Sequence, residues 1–165
     1  MSKARTRSFT TAIGFADEAR EALTHLADAR LADTVDLYSQ LKQAHWNVKG
    51  KHFQSLHELF DAIAEATRPY IDELAERVTT LGGVAHGTIR MAAGASSLDE
   101  YPADLVAGID HLEAVRDRLA AYVRDNRDAI ERADELGDPV TADLLTEVGR
   151  TLELKLYFVE SHLQD

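Results

Sequence analysis

Five side chains between Lys42 and Leu81 are of types that bind metals: His45, His57, Asp61, Asp72 and Glu76. His57 and Asp61, and again Asp72 and Glu76, lie four positions apart, which puts each pair on one helix face within reach of a common ion. Imidazole combined with carboxylate is a donor set for iron or zinc. Each residue alone has a plainer reading. A histidine on an apolar stripe is more often packed in a core, and an acidic i,i+4 pair is more often a solvated face. The ordered set of five is what points to a metal centre. Glu65, four positions after Asp61, extends the same arc either as a solvated glutamate or as a transient metal contact. His25, His52, His86, His111 and His162 lack such company and read as surface or packing residues.

The elements that must carry these residues are long helices, because the chain has only three prolines, Pro69, Pro102 and Pro139, and its glycines gather at 82, 83, 87 and 94. A first helix is predicted from near Asp17 to near Asn47, with Leu31, Val35, Tyr38, Leu41 and His45 at helical spacing. A second is predicted from about Phe53 to Leu81, with Leu56, Phe60, Ile63, Tyr70, Ile71, Leu74, Val78 and Leu81 as its core face. A polar connection from Gly82 to about Pro102 leaves room for a short helical turn. The third helix is expected from Ala103 to about Ala133 on the stripe Leu105, Ile109, Leu112, Val115, Leu119 and Tyr122. The fourth is expected from about Thr141 to His162 on Leu145, Val148, Leu152, Leu156 and Val159. The fold class is therefore all-α, a four-helix bundle with a short helical turn in its long middle connection. Residues 1–16 are expected to be a flexible tail and residues 17–165 the bundle domain.

Helical geometry then constrains the metal centre. With His57 at zero, Asp61, Asp72 and Glu76 fall near roughly 40°, 60° and 100° around the second helix, away from its apolar stripe. Along the axis, however, Asp61 and Asp72 stand about 16 Å apart, too far for one ion. Two copies packed antiparallel about a two-fold axis would bring His57 and Asp61 of one chain opposite Asp72 and Glu76 of the other. Pro69 lies in the middle of this helix, and a bend near Thr67 is expected there. The glutamate-x-x-histidine motif that builds di-iron sites inside single bundles is missing.

Composition narrows the functional classes. With 18 basic against 29 acidic residues the chain carries a formal charge of −11, which argues against a generally DNA-coating surface and suits contact with cations. Without cysteine there are no disulfides, thiolate metal sites or thiol catalysis, and a reducing cytoplasm is compatible. No run is apolar and long enough to span a membrane. No phosphate loop, nucleophile elbow or zinc-protease helix motif is present.

The segments HWNVKG, FQSLHELFD and DELAERVTTLGG together resemble the Dps family, small ferritin-like proteins named as DNA-binding proteins from starved cells. The resemblance places ferroxidase ligands at His45, His57 and Asp61 of one subunit and at Asp72 and Glu76 of its neighbour. It implies a hollow, cytoplasmic dodecamer built from two-fold dimers. Such a cage oxidises Fe(II) with hydrogen peroxide or dioxygen, stores the ferric product and protects the cell from Fenton chemistry. Zinc is a second candidate ion for the same site. Trp46 would lie beside the iron as an electron donor to over-oxidised intermediates, against the plainer role of a large packed side chain. Asp134 and Asp143, with Asp138 as a further candidate, would line acidic pores at a three-fold axis; Asp138 and Pro139 equally suit a helix start, as cap and first residue. The alternative function is a nucleoid-associated DNA-compacting protein with a vestigial metal site. With only Lys3, Arg5 and Arg7 in the tail, DNA binding is expected to be weak or absent.

Overall fold

The computed structural model describes residues 8–164. Six helical segments follow in order: α1 Asp17–Asn47, α2 Phe53–Thr67, α3 Pro69–Thr80, α4 Ile89–Ala95, α5 Gly108–Glu135 and α6 Pro139–Ser161. α1, the consecutive α2 and α3, α5 and α6 form an all-α four-helix bundle, and α4 is the short helix of the middle connection, packed on α1.

The apolar stripes read from the sequence mostly become the core. Leu56, Phe60 and Ile63 of α2, Tyr70, Leu74 and Val78 of α3, Leu112, Val115, Leu119 and Tyr122 of α5, and Leu145, Val148, Leu152 and Val159 of α6 are all buried. On α1 the deepest positions are Leu23, Ala27, Thr34, Leu37 and Ala44 together with Leu31 and Leu41. Val35, Tyr38 and His45, expected on that stripe, are only half-buried at its edge.

Three boundaries refine the expectation. The helix predicted from Phe53 to Leu81 with a bend near Thr67 is divided in two at Arg68, beside the expected place, because Pro69 has no N–H to continue the ladder. Arg68 keeps helical dihedrals (φ −54°, ψ −43°) and the Ile71 N–H bonds the Arg68 carbonyl at 3.2 Å, so the chain runs on without reversing. The third long helix starts at Gly108, five residues later than predicted, because residues 103–107 are held away from helix: the Lys49 N–H donates to the Val106 carbonyl at 3.0 Å. Leu105 therefore lies outside α5, and Ile109 on its first turn is 51% exposed. The last helix starts at Pro139 rather than Thr141, with Asp138 as its cap.

Residues 8–16 are not helical, yet they lie back on the bundle. The Phe9 N–H donates to the Gly82 carbonyl at 2.7 Å, and Arg20 Nη2 donates to the Ile13 and Phe15 carbonyls. Gly82 has φ +87°, and a Cβ there would come within 2.4 Å of the Phe9 carbonyl oxygen, so both the turn and the close approach require glycine. Lys3, Arg5 and Arg7 lie outside the described residues.

Candidate metal half-site

His45 near the end of α1 and His57 in α2 face one another across the α1–α2 corner, with ring centroids 3.7 Å apart and planes 22° from parallel. The Nδ1–H of each ring donates to the backbone carbonyl of the other residue, both at 2.8 Å. Since a carbonyl can only accept, each ring carries a proton on Nδ1, and in the neutral ring this leaves Nε2 with its lone pair. A backbone carbonyl on one ring nitrogen is the usual companion of a metal-ligating histidine, because it orients the ring and makes it a better donor.

Asp61, one turn beyond His57, completes this cluster. Its Oδ1 lies 4.0 Å from His45 Nδ1 and accepts a short hydrogen bond from Lys42 Nζ. That bond is the main reason the Asp61 carboxyl is held below its ordinary range; burial opposes it, and the smaller electrostatic effects of His45, Lys42 and His57 act with the bond. The Lys42 ammonium is correspondingly pushed up. Lys42 is a residue that a search for ligand types passes over, since it binds no metal; its only sequence signal is its place one turn before His45 on the same face of α1.

Asp72 and Glu76 are on α3, exposed, and are not brought to His45, His57 and Asp61. Among the described residues no three His, Asp or Glu side chains of one chain are grouped to hold an ion. Asp72 instead lines a cavity of about 700 Å³ with Leu31, Ile71, Glu73, Ala75 and Gly87. Ile71 and Gly87 also line a neighbouring groove of about 480 Å³ with Tyr38, Lys42, Trp46 and Ile89. Trp46 is 61% and Ile89 80% exposed, so the face that joins the two sets of candidate ligands is apolar and open in the single chain.

The remaining candidates divide. Glu65 is exposed and paired with Arg68 at 2.9 Å. Asp134 and Asp143 are exposed at the α5–α6 corner. Asp138, a candidate pore residue, is 1% exposed and turned inward. Its Oδ1 accepts the N–H groups of Val140 and Thr141 at 3.1 and 3.2 Å, and its Oδ2 takes Arg77 Nη2 at 2.6 Å. The capping geometry at the head of α6 consumes the carboxylate, so it is not a pore lining of the subunit. His86, expected to be unaccompanied, is gripped by Asp28 of α1: the ring Nδ1–H donates at 2.7 Å and the backbone N–H at 2.9 Å.

A bundle of this order carrying imidazole and carboxylate donors on one outer face is a ferritin-like protein, and comparison with known proteins agrees. The family model for the ferritin-like domain matches residues 23–165. A DNA protection during starvation protein of Agrobacterium fabrum is 38% identical over 147 residues, covering 89% of this chain and 91% of the relative. One of Halobacterium salinarum is 36% identical over 153 residues, covering 91% of this chain and 82% of the relative. Among solved structures, DpsC from Streptomyces coelicolor superposes with a TM-score of 0.91 at 32% identity over 100% of this chain and 97% of its own. A Dps protein of Vibrio cholerae O1, described as one of a broad superfamily of ferritin-like diiron-carboxylate proteins, gives 0.87 at 27% identity over 99% of this chain and 100% of its own. The chain belongs to the Dps family of ferritin-like proteins. No described helix is long and apolar enough to cross a membrane.

Proposed function

We propose that the protein is a ferroxidase and iron store whose oxidation sites form between subunits. His45, His57 and Asp61 of one subunit and Asp72 and Glu76 of the partner subunit would hold Fe(II), the substrate. The observation that carries this reading is the reciprocal Nδ1–H to carbonyl bonding of His45 and His57, which leaves both Nε2 atoms for a metal, with the Asp61 carboxylate 4.0 Å from His45 Nδ1. Nitrogen and carboxylate oxygen suit Fe(II), and the same donors accept Zn(II), which would compete for the site.

The chain's own groups have separable tasks. The two rings bind, their carbonyl partners orient them, and Asp61 supplies negative charge while Lys42 keeps it ionised. The open apolar groove around Trp46 and Ile89 is the surface on which a second copy buries itself, and that burial excludes water from the site. Two bound Fe(II) ions could give one electron each to a single peroxide, so that no hydroxyl radical is released; dioxygen is the alternative oxidant. Closed assembly of such dimers into a dodecamer would enclose the stored iron, with Asp134 and Asp143 drawing cations toward its pores. The cytoplasm, with its reducing conditions and Fe(II), is the compartment this chemistry suits.

The test is anaerobic loading with Fe(II) followed by peroxide, read by ferric absorbance and by a spin trap. Wild type is expected to oxidise rapidly without abundant trapped hydroxyl radical. Asp72→Ala combined with Glu76→Ala is expected to lower the rate at least about tenfold. Equal rates in the two proteins would sink the site, and abundant radical in wild type would sink the paired-electron chemistry.

A further inference from the structure

Asp72 and Glu76, the carboxylates assigned above to the partner's site, are carried by a short helix set off from α2 at Arg68. α3 has 12 residues, and the missing N–H of Pro69 separates its ladder from that of α2. Its apolar residues Tyr70, Leu74 and Val78 are buried, and it packs chiefly on α1. Apolar burial is non-directional, so this stripe by itself specifies the rotation and slide of a three-turn helix only loosely. A metal site needs its donors held to within about half an ångström.

Two polar ties cross from α3 to α6, one on each side of Asp72 and Glu76. Before them, the Tyr70 hydroxyl and Thr151 Oγ1 are hydrogen-bonded at 2.7 Å. After them, Arg77 reaches α6 with both arms of its guanidinium: Nη2 to Asp138 Oδ2 at 2.6 Å and Nε to Thr141 Oγ1 at 2.8 Å. Tyr70 is 6% exposed, and the Arg77 and Asp138 side chains are 11% and 1% exposed. Asp138 is itself immobilised as the α6 cap. A planar fork on a fixed carboxylate and a fixed hydroxyl sets orientation as well as distance. Buried ion pairs are weak as net stabilisers but can select one arrangement over others.

We propose that Arg77 and Tyr70 are positioning residues for the iron site. They pin α3 to α6 at both ends, so that Asp72 and Glu76 meet the partner's His45, His57 and Asp61 in register. This role rests on the intersubunit reading given above. It extends that site into the bundle interior, through side chains that touch no metal.

The test uses the assembled protein with Co(II) as probe, read by its visible absorption and by calorimetric titration, alongside assembly mass and melting temperature. Arg77→Met and Tyr70→Phe are each expected to weaken Co(II) binding about tenfold at unchanged assembly mass, with Arg77→Lys intermediate because it keeps charge but loses the fork. Co(II) binding equal to wild type in assembled Arg77→Met and Tyr70→Phe overturns the proposal. If Arg77→Met does not fold, Tyr70→Phe, which loses one hydroxyl, decides alone. Asp72→Ala is the reference: unchanged binding in that variant overturns the intersubunit site itself, and the positioning role with it.

Discussion

Asp61 meets Lys42 across 19 positions of sequence, and in the single chain this ammonium stands where a cation would bind. The pair is partly solvated, with side chains 41% and 18% exposed, so its contribution to stability is expected to stay under about 1 kcal/mol. Its effect on metal affinity at the proposed site would be larger, because Lys42 would both compete for Oδ1 and repel a divalent ion. Lys42→Met is therefore expected to tighten Zn(II) binding severalfold by calorimetry while leaving the melting temperature nearly unchanged at neutral pH. The acid side gives a second check. Lys42 lowers the folded Asp61 carboxyl below its unfolded value, so the pair's stabilisation is complete above the ordinary carboxylate range, near about 4. It is lost as pH falls through the lower folded value. In Lys42→Met that acid-side step should shrink in melting curves recorded across this range.

At the scale of elements, Asp138 joins three tasks: it starts α6, anchors α3 through Arg77 and sits between the exposed Asp134 and Asp143. Burial pushes its carboxyl up, but hydrogen bonds from the Thr141 hydroxyl, Arg77 and the Thr141 N–H together outweigh it and hold the group below its ordinary value. Its stabilisation is thus present above the unfolded carboxylate value and lost as pH falls through the folded one. Asp138→Ala leaves the Arg77 charge largely buried and unpaired, and a destabilisation of about 3 kcal/mol is expected from urea unfolding at neutral pH. A loss well under about 1 kcal/mol would mean that Arg77 finds water or another acid. The sequence offered capping and pore lining as equal readings of Asp138. The structure separates them because Arg77, 61 positions away, approaches the carboxylate from inside the bundle.

For the whole molecule, the half-site and the apolar groove lie on one face, so chemistry and assembly are expected to fail together. Ile89→Asp places a charge at a position that is 80% exposed and distant in sequence from every candidate ligand. It should dissociate the proposed two-fold dimer, as read by light scattering, and abolish Fe(II) oxidation with all five candidate ligands intact. Full activity in a monomer would refute the shared site. Charge works at the same scale. At −11 per chain, the proposed twelve-subunit particle would repel DNA over most of its surface. A low-salt gel shift is expected to show little retention; retention that vanishes on deleting residues 1 to 8 would instead support the DNA-compacting reading.

Spacing within single helices is what the sequence determined by itself: the four long helical stretches, most of their buried stripes, and the two i,i+4 pairs of candidate ligands with the axial gap between them. Periodicity is local, so it survives without knowledge of packing. Periodicity misplaced one start clearly, Ala103 for Gly108, where a bridge from Lys49 holds the chain out of helix; the breaks beside Thr67 and at Pro139 follow proline and cap signals that the sequence also carried. Only the tertiary structure decided what crosses between helices: the mutual bonding of His45 and His57, the ammonium on Asp61, the grip of Asp28 on His86 and the inward turn of Asp138. Each of these depends on the rotation and slide of one helix against another. A side chain's type does not encode that register; the summed packing of the bundle does.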